Sequence, residues 1–302
     1  MPTMPRLRSP LLLLAAATLA AAQDYQIVID RPEKVAERAA LHATCASNQQ
    51  RYLGIGGTPM RRQDANFEIT IDAERTVLEV SAQGQPTVVQ LTIVKATRTE
   101  AGRGTAVLLP PGSVVLMAAG DKETTFSDGD KAALPVSALP SLRMTLHLSA
   151  GKAKDDPAFG SSVHRPLAAS WPIEPQAAAL VLQDLAFTVD PQHLSGTTTL
   201  AEALKGSGRD CLRLTTELAF SGFTMTLSKG MQVTASSATL EIARIVPVEV
   251  AAPGGQETRS LKLHMEAAGQ ATQSGVVQQI AASIDLTQVN ELDLIPIASP
   301  TR

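Results

Sequence analysis

The sequence predicts a mainly β protein built as two antiparallel sheet units, sandwiches or curved half-barrels, with one short helix near residues 136–144. Three observations carry this prediction. Apolar and polar residues alternate with period two through much of the chain, the pattern of strands with one buried face. Turn chemistry separates the alternating runs. No βα alternation with glycine-rich phosphate turns occurs, which removes the doubly wound nucleotide-binding folds.

Composition narrows the class further. Of 302 residues, 44% are hydrophobic and 3% aromatic, and 26 Lys+Arg against 29 Asp+Glu leave a formal charge of −3. Such apolar content excludes a disordered chain, and the charge balance excludes a nucleic-acid binder that relies on a basic surface.

The chain opens with a signal-peptide pattern over residues 1–22. Arg6 and Arg8 precede the unbroken apolar run Leu11 to Ala17, and Ala20 and Ala22 stand at the A-x-A spacing before Gln23. The run falls short of the roughly 20 residues that cross a bilayer. No cysteine stands at the expected cleavage site, so a lipid anchor is not expected there. The expected location is therefore exported, periplasmic or extracellular. Export permits a disulfide between Cys45 and Cys211, which in the chain-entropy model would contribute about 5 kcal/mol. Two separately buried thiols are the alternative.

The strands follow in order. Phe67, Ile69 and Ile71 share a face opposite Glu68 and Thr70. Leu212, Leu214, Leu218 and Phe220 repeat the pattern, as do Phe223, Met225 and Leu227, and Leu261, Leu263 and Met265. Hairpin turns fall at Gln83-Gly84-Gln85-Pro86, Gly206-Ser207-Gly208 and Ala252-Pro253-Gly254-Gly255. Pro247 inside a strand-like run marks an edge or a bulge, because proline donates nothing to a ladder. Pro135 to Leu148 breaks the period and reads as a helix up to about Met144, with Ser137 as its cap. The prolines, glycines and charges of residues 149–175 oppose any regular element, so a linker is placed there between β-rich domains at 23–148 and 176–302.

No motif assigns chemistry. Gly56-Gly57 lacks the Lys-Ser/Thr ending of a phosphate loop. Asp128-Gly129-Asp130, with Asp121 and Glu123 nearby, lacks the ligand spacing of a calcium loop and reads as a hairpin tip. Asp155-Asp156 reads as a charged linker. His42, His147, His164, His193 and His264 show no zinc spacing. Ser161 and Ser162 near His164 lie outside a G-x-S-x-G elbow. No catalytic, cofactor or metal residue is assigned, and no cofactor is expected. The sole tryptophan, Trp171, either plugs the seam where the second domain begins or lines a ligand site.

Phe159-Gly160, Trp171-Pro172-Ile173, Leu185, Ser195-Gly196-Thr197-Thr198-Thr199-Leu200 and Asp210-Cys211-Leu212-Arg213-Leu214 resemble a pattern of uncharacterised exported β-rich bacterial proteins, over Asp155 to Phe220. The chain departs from it at Ala168, where the pattern has a glycine three residues before the tryptophan. The resemblance implies export and a β fold, and no activity.

The function expected from these readings is non-catalytic: binding or carriage of an apolar ligand or an envelope partner. Candidate apolar faces are Phe67/Ile69/Ile71 and Phe220/Phe223/Met225/Leu227, each of which is equally the pattern of plain core. The rival functions are an envelope-polymer hydrolase and a structural envelope-assembly protein.

Overall fold

The structure, a computed structural model, describes residues 23–56, 58, 61–120, 123–148, 153–206, 208–225, 227, 230–273 and 276–297. The signal-peptide expectation for residues 1–22 lies outside the described residues, as do Gly57, Asp121 and Ser207.

Seven strands come first: β1 (Asp24–Ile27), β2 (Arg38–Ile55), β3 (Arg61–Val80), β4 (Pro86–Glu100), β5 (Gly104–Leu109), β6 (Val114–Ala119) and β7 (Thr124–Asp128). Then follow helix α1 (Leu139–Thr145), helix α2 (Asp155–Phe159), strands β8 (Ser161–Pro166) and β9 (Ser170–Pro172), and helix α3 (Pro175–Asp184). The chain ends in five long strands, β10 (Leu194–Gly206), β11 (Arg209–Ser221), β12 (Met231–Pro247), β13 (Gly255–Gln273) and β14 (Val276–Pro296).

The fold is mainly β with two antiparallel sheets and a few short helices, as the alternation predicts. A small sheet pairs β1 with β8, and a twelve-stranded sheet runs β7-β6-β4-β3-β2-β14-β13-β12-β11-β10-β9, with β5 added on β4. The pairing of β2 with β14, from Ala39 opposite Pro296 to Ile55 opposite Ile280, makes the large sheet continuous across both halves of the chain. Residues of β4 and β12, five strand steps apart, line one cavity, so the sheet is bent around that face as a half-barrel.

Directly opposed residues of antiparallel strands share a face, and the registers therefore lay out the concave side. One row reads Leu214, Arg244, Glu257, Leu292, Ala43, Ile71; the next reads Thr216, Ile242, Arg259, Asn290, Cys45, Ile69. Two apolar cores sit on this face. The first gathers Ile69, Ile71, Leu91 and Val115 beneath Leu142 and Leu146 at α1. The second packs Leu182 of α3 and Phe159 of α2 against Leu218, Leu240 and Ile242, with Phe187, Phe220 and Phe223 meeting edge to face or tilted at 5.1–5.6 Å. Both candidate apolar faces thus belong to these cores: Phe67, Ile69 and Ile71 in the first, and Phe220 and Phe223 in the second, with Met225 and Leu227 packed partly buried against it.

Five expectations need correction. Phe223, Met225 and Leu227 lie in no strand; they fall between the end of β11 at Ser221 and the start of β12 at Met231, where Thr224 makes an isolated bridge to Thr188. Cys45 and Cys211 are both free and buried. They lie on β2 and β11, four strand steps of about 4.8 Å apart, beyond the reach of a disulfide. Pro247 is neither on an edge strand nor in a bulge; it ends the interior strand β12, where Val248 N takes over by donating to Asp210 O. The N-cap of α1 is Ala138 without a side-chain bond, so Ser137 does not cap it; Pro140 in the first turn starts the helix instead. Residues 153–175 do hold regular structure: β8 pairs with β1, β9 pairs with β10, and Ala158 and Phe159 of α2 pack with Ala178 and Leu182 of α3.

Ala168, the position where the resembling pattern carries glycine, has φ 63°. That left-handed backbone disfavours a Cβ. Ala168→Gly is expected to raise stability by about 1 kcal/mol, read as a higher midpoint in urea; a lower midpoint would show that the backbone there is unstrained.

Candidate ligand cavity

Between the two cores the concave sheet and the helices leave a cavity of about 710 Å³. Its size falls in the range of small-molecule sites, about 300–1,000 Å³. Leu41, Val89, Leu91 and Met117 form one wall, Leu240, Leu261, Phe187 and Met225 the other, and Met144 and Leu146 close it from α1. These apolar side chains reach the cavity because the period-two pattern puts every second side chain of each strand on this face.

Charge interrupts the apolar lining at more than one place, among them the buried Arg75, which pairs with Glu33, and Arg244. Arg244 lies in the run Leu240, Ile242, Arg244, Val246, all buried and all of one parity. Its Nε donates to Glu257 Oε2 at 2.7 Å, Arg259 approaches the other Glu257 oxygen at 2.5 Å, and the Phe159 ring lies 5.3 Å from the Arg244 guanidinium. Burial alone would raise the Glu257 carboxyl, but Arg259 and Arg244 hold it down at about 2. Arg259 Nη1 stands 3.3 Å from His147 Nε2. Burial, then the Arg259 charge, pushes His147 down to about 4, so the ring is neutral and Nε2 accepts.

These groups tie the helices to the sheet. Asn290 Nδ2 donates to Met144 O at 2.8 Å and anchors α1. Arg244 faces Asp155 of α2 at 3.2 Å. Asp156 Oδ1 accepts from Ile29 N at 2.6 Å, and Asp30 Oδ2 accepts from Asp156 N at 2.7 Å. Lys154 pairs with Asp184 at the end of α3. Asp155-Asp156 is therefore no solvated linker: both carboxylates are spent holding α2 against β12 and the segment after β1. Glu174 caps α3, accepting from Gln176 N and Ala177 N.

Burial, reinforced by the Asp155 charge, pushes the Asp30 carboxyl up to about 7. A pKa raised from 3.8 means that the folded protein holds a proton the unfolded chain releases, so this group's contribution is present at low pH and is lost as pH rises from about 4 through about 7. Asp30→Asn retains an oxygen acceptor for Asp156 N and removes the titration. The variant's stability relative to the parent is expected to improve by about 3 kcal/mol between mildly acidic and mildly alkaline pH. Urea titrations at the two pH values check this; equal differences at both would contradict it.

The residues singled out by sequence are dispersed. Trp171 is buried with Ile27, Leu200, Leu212, Leu214 and Val246, and its Nε1 donates to Phe159 O at 3.0 Å. It is not among the residues lining the cavity. His42 and His264 pair with Asp72 and Asp285 on the convex face. Ser161 Oγ donates to Val163 O and accepts from Arg165 Nε. Asp128 Oδ1 accepts from Asp130 N and Ala132 N, the local bonding of a turn. Among the described residues no group of three or more His, Cys, Asp or Glu side chains is placed to hold a metal ion. The sequence reading missed Arg244, Glu257, Arg259 and Asp30, and weighed His147 only as a zinc ligand. The available signal was a charged residue on an otherwise apolar parity.

No family model matches the chain, and no curated protein matches it. Among solved structures, the outer membrane protein AlkL, determined in lipid bilayers by solid-state NMR, matches at 8% identity and a TM-score of 0.20, covering 91% of this chain and 97% of that one. The COG4313 outer membrane channel from Pseudomonas putida F1 matches at 9% identity and a TM-score of 0.20, covering 89% and 100%. OccK2 from Pseudomonas aeruginosa matches at 8% identity and a TM-score of 0.19, covering 86% and 98%. The likeness to bacterial outer membrane β-barrel proteins is weak, and values this low leave the fold to be read from this chain's own strands.

Proposed function

We propose that the protein is an exported, non-catalytic carrier that holds an apolar ligand between the concave sheet and helices α1 to α3. The observation that carries this reading is the cavity of about 710 Å³, to which both halves of the sheet contribute large apolar side chains beside charged ones. Its convex face supports a molecule bathed in water. Thr44 and His42 on β2, Thr70 and Asp72 on β3, Lys262 and His264 on β13, and Asp285 and Thr287 on β14 share the side opposite the cores. A strand wall facing lipid presents an apolar band there instead. No described helix is long and apolar enough to cross a membrane.

Titration with the fluorescent apolar probe N-phenylnaphthylamine tests the proposal. The parent is expected to bind it saturably, and Leu286→Trp, which places an indole in the cavity from β14, is expected to weaken binding by about tenfold or more. Absence of saturable binding, or unchanged binding in the variant, would overturn it.

A further inference from the structure

We propose that the segment joining β1 to β2, from Val28 to Glu37, is the gate of the ligand cavity: a strap across one end of the half-barrel, latched to α2 through Asp30 and Asp156. The proposal rests on the cavity reading above and says where its ligand enters. Ile29, Asp30, Arg31, Pro32, Glu33 and Glu37 all line the cavity. On one side the strap is tied to α2 and to the end of β12. Asp156 Oδ1 accepts from Ile29 N, Asp30 Oδ2 accepts from Asp156 N, and Arg31 donates to the carbonyls of Pro247 and Glu249. On the other side it is tied to β3 and the turn before β4. Glu33 pairs with Arg75, Glu33 N donates to Gly84 O at 2.8 Å, and Ala36 N donates to Val77 O at 2.8 Å. Strands β3 and β12 stand four steps apart in the large sheet, so the strap spans the half-barrel from one side to the other.

The kind of contact that holds the strap sets it apart from the other walls. Helix α1 keeps Leu142 in the first core and α3 keeps Leu182 in the second, so moving either helix exposes large apolar side chains. The strap holds no helix or strand, and Pro32, Lys34, Val35 and Ala36 on it face solvent. Its ties are hydrogen bonds and one ion pair, which water replaces when the strap lifts, the mark of a segment that opens locally. Ala36, at φ 68°, adds backbone strain beside β2. The Asp30 latch couples this opening to pH. The charges about Asp30 are Asp155 and Asp156 of α2 and Arg244 of β12, whose guanidinium is already shared between Asp155 and Glu257. Lys154, ahead of α2, is paired with Asp184, and Arg31 on the strap itself is engaged with carbonyls. Protonated, Asp30 is a neutral group beside two carboxylates. Ionised, as pH rises through about 7, it adds to their charge and is better solvated with the strap open.

Stopped-flow mixing of the full chain with N-phenylnaphthylamine, at mildly acidic and mildly alkaline pH, reads the gate. The association rate of the parent is expected to rise about tenfold from the acidic to the alkaline condition. The dissociation constant is expected to stay the same, because an open state that remains the minor one speeds entry and exit alike. Asp30→Asn is expected to hold the slow rate at both pH values. Glu33→Gln, which weakens the tie to Arg75, is expected to bind about tenfold faster than the parent at acidic pH, again at an unchanged dissociation constant. Saturable binding by the parent at one rate in both conditions would overturn the gate and leave the cavity reading standing, even if neither variant folds. A rise that persists in Asp30→Asn would overturn the latch and the proposal with it. A dissociation constant that shifts in Glu33→Gln while the association rate does not would make the strap part of the binding wall, and so would overturn the gate as well. Failure of the probe to bind at either pH would overturn both the gate and the cavity reading.

Discussion

Arg244→Met is expected to lower folding stability by about 3–5 kcal/mol, the usual cost of removing one partner from a buried ionic network. Glu257 would remain buried beside Arg259 alone, and Asp155 would lose the charge that holds α2 to the sheet. The methionine fills most of the vacated volume, so the loss is electrostatic rather than a cavity effect. Adding Glu257→Gln should therefore recover part of it, because the stranded carboxylate is then gone. Urea unfolding of the parent, the single and the double variant measures this. A loss under about 1 kcal/mol in Arg244→Met would show that the network is solvated.

Trp171→Ala is expected to cost about 3–5 kcal/mol, the range for deleting a large buried aromatic. The ring packs on Ile27, Leu200, Leu212, Leu214 and Val246, the Arg165 guanidinium lies 5.2 Å from it, and its removal leaves Phe159 O without its indole donor. Because Ile27 comes from β1 and Leu212 from β11, the ring binds the small sheet to the large one. Trp171 is the only tryptophan, so native emission should be blue-shifted and should not respond to apolar ligands that enter the cavity. Emission at the wavelength of free tryptophan, or a stability loss near zero, would contradict this placement.

The strands were legible because burial of one face writes itself into neighbouring residues. Phe67, Ile69 and Ile71 lie on β3 as the alternation requires, and the turns at Gln83-Gly84-Gln85-Pro86 and Ala252-Pro253-Gly254-Gly255 do join β3 to β4 and β12 to β13. Helix α1, at Leu139–Thr145, is close to where the broken period puts it. What joins the two halves was not legible: β2 and β14 are separated by most of the chain, and no local pattern specifies which distant strand completes a ladder. Helix α3 was overlooked although Glu174-Pro175 and the alanines that follow are a cap, a first-turn proline and good helix formers.

The candidate site shows the same division. Its apolar walls follow from parity, but its polar centre depends on Arg244, Glu257 and Arg259 meeting across β12 and β13, and on Asp155 and His147 arriving from segments about 90 to 110 positions earlier in the chain. Composition cannot report such a meeting. An arginine between Ile242 and Val246 on a buried parity is the local trace it leaves, since a charge in that position must find partners or destabilise the sheet.

The most direct test of a ligand held between sheet and helices is a crystal structure of the full chain grown with a bromine-tagged long-chain alcohol. The bromine's anomalous signal is expected inside the cavity, among Leu91, Leu261 and Leu292. A cavity without bromine, alongside signal only on the convex face or in solvent, would contradict the account.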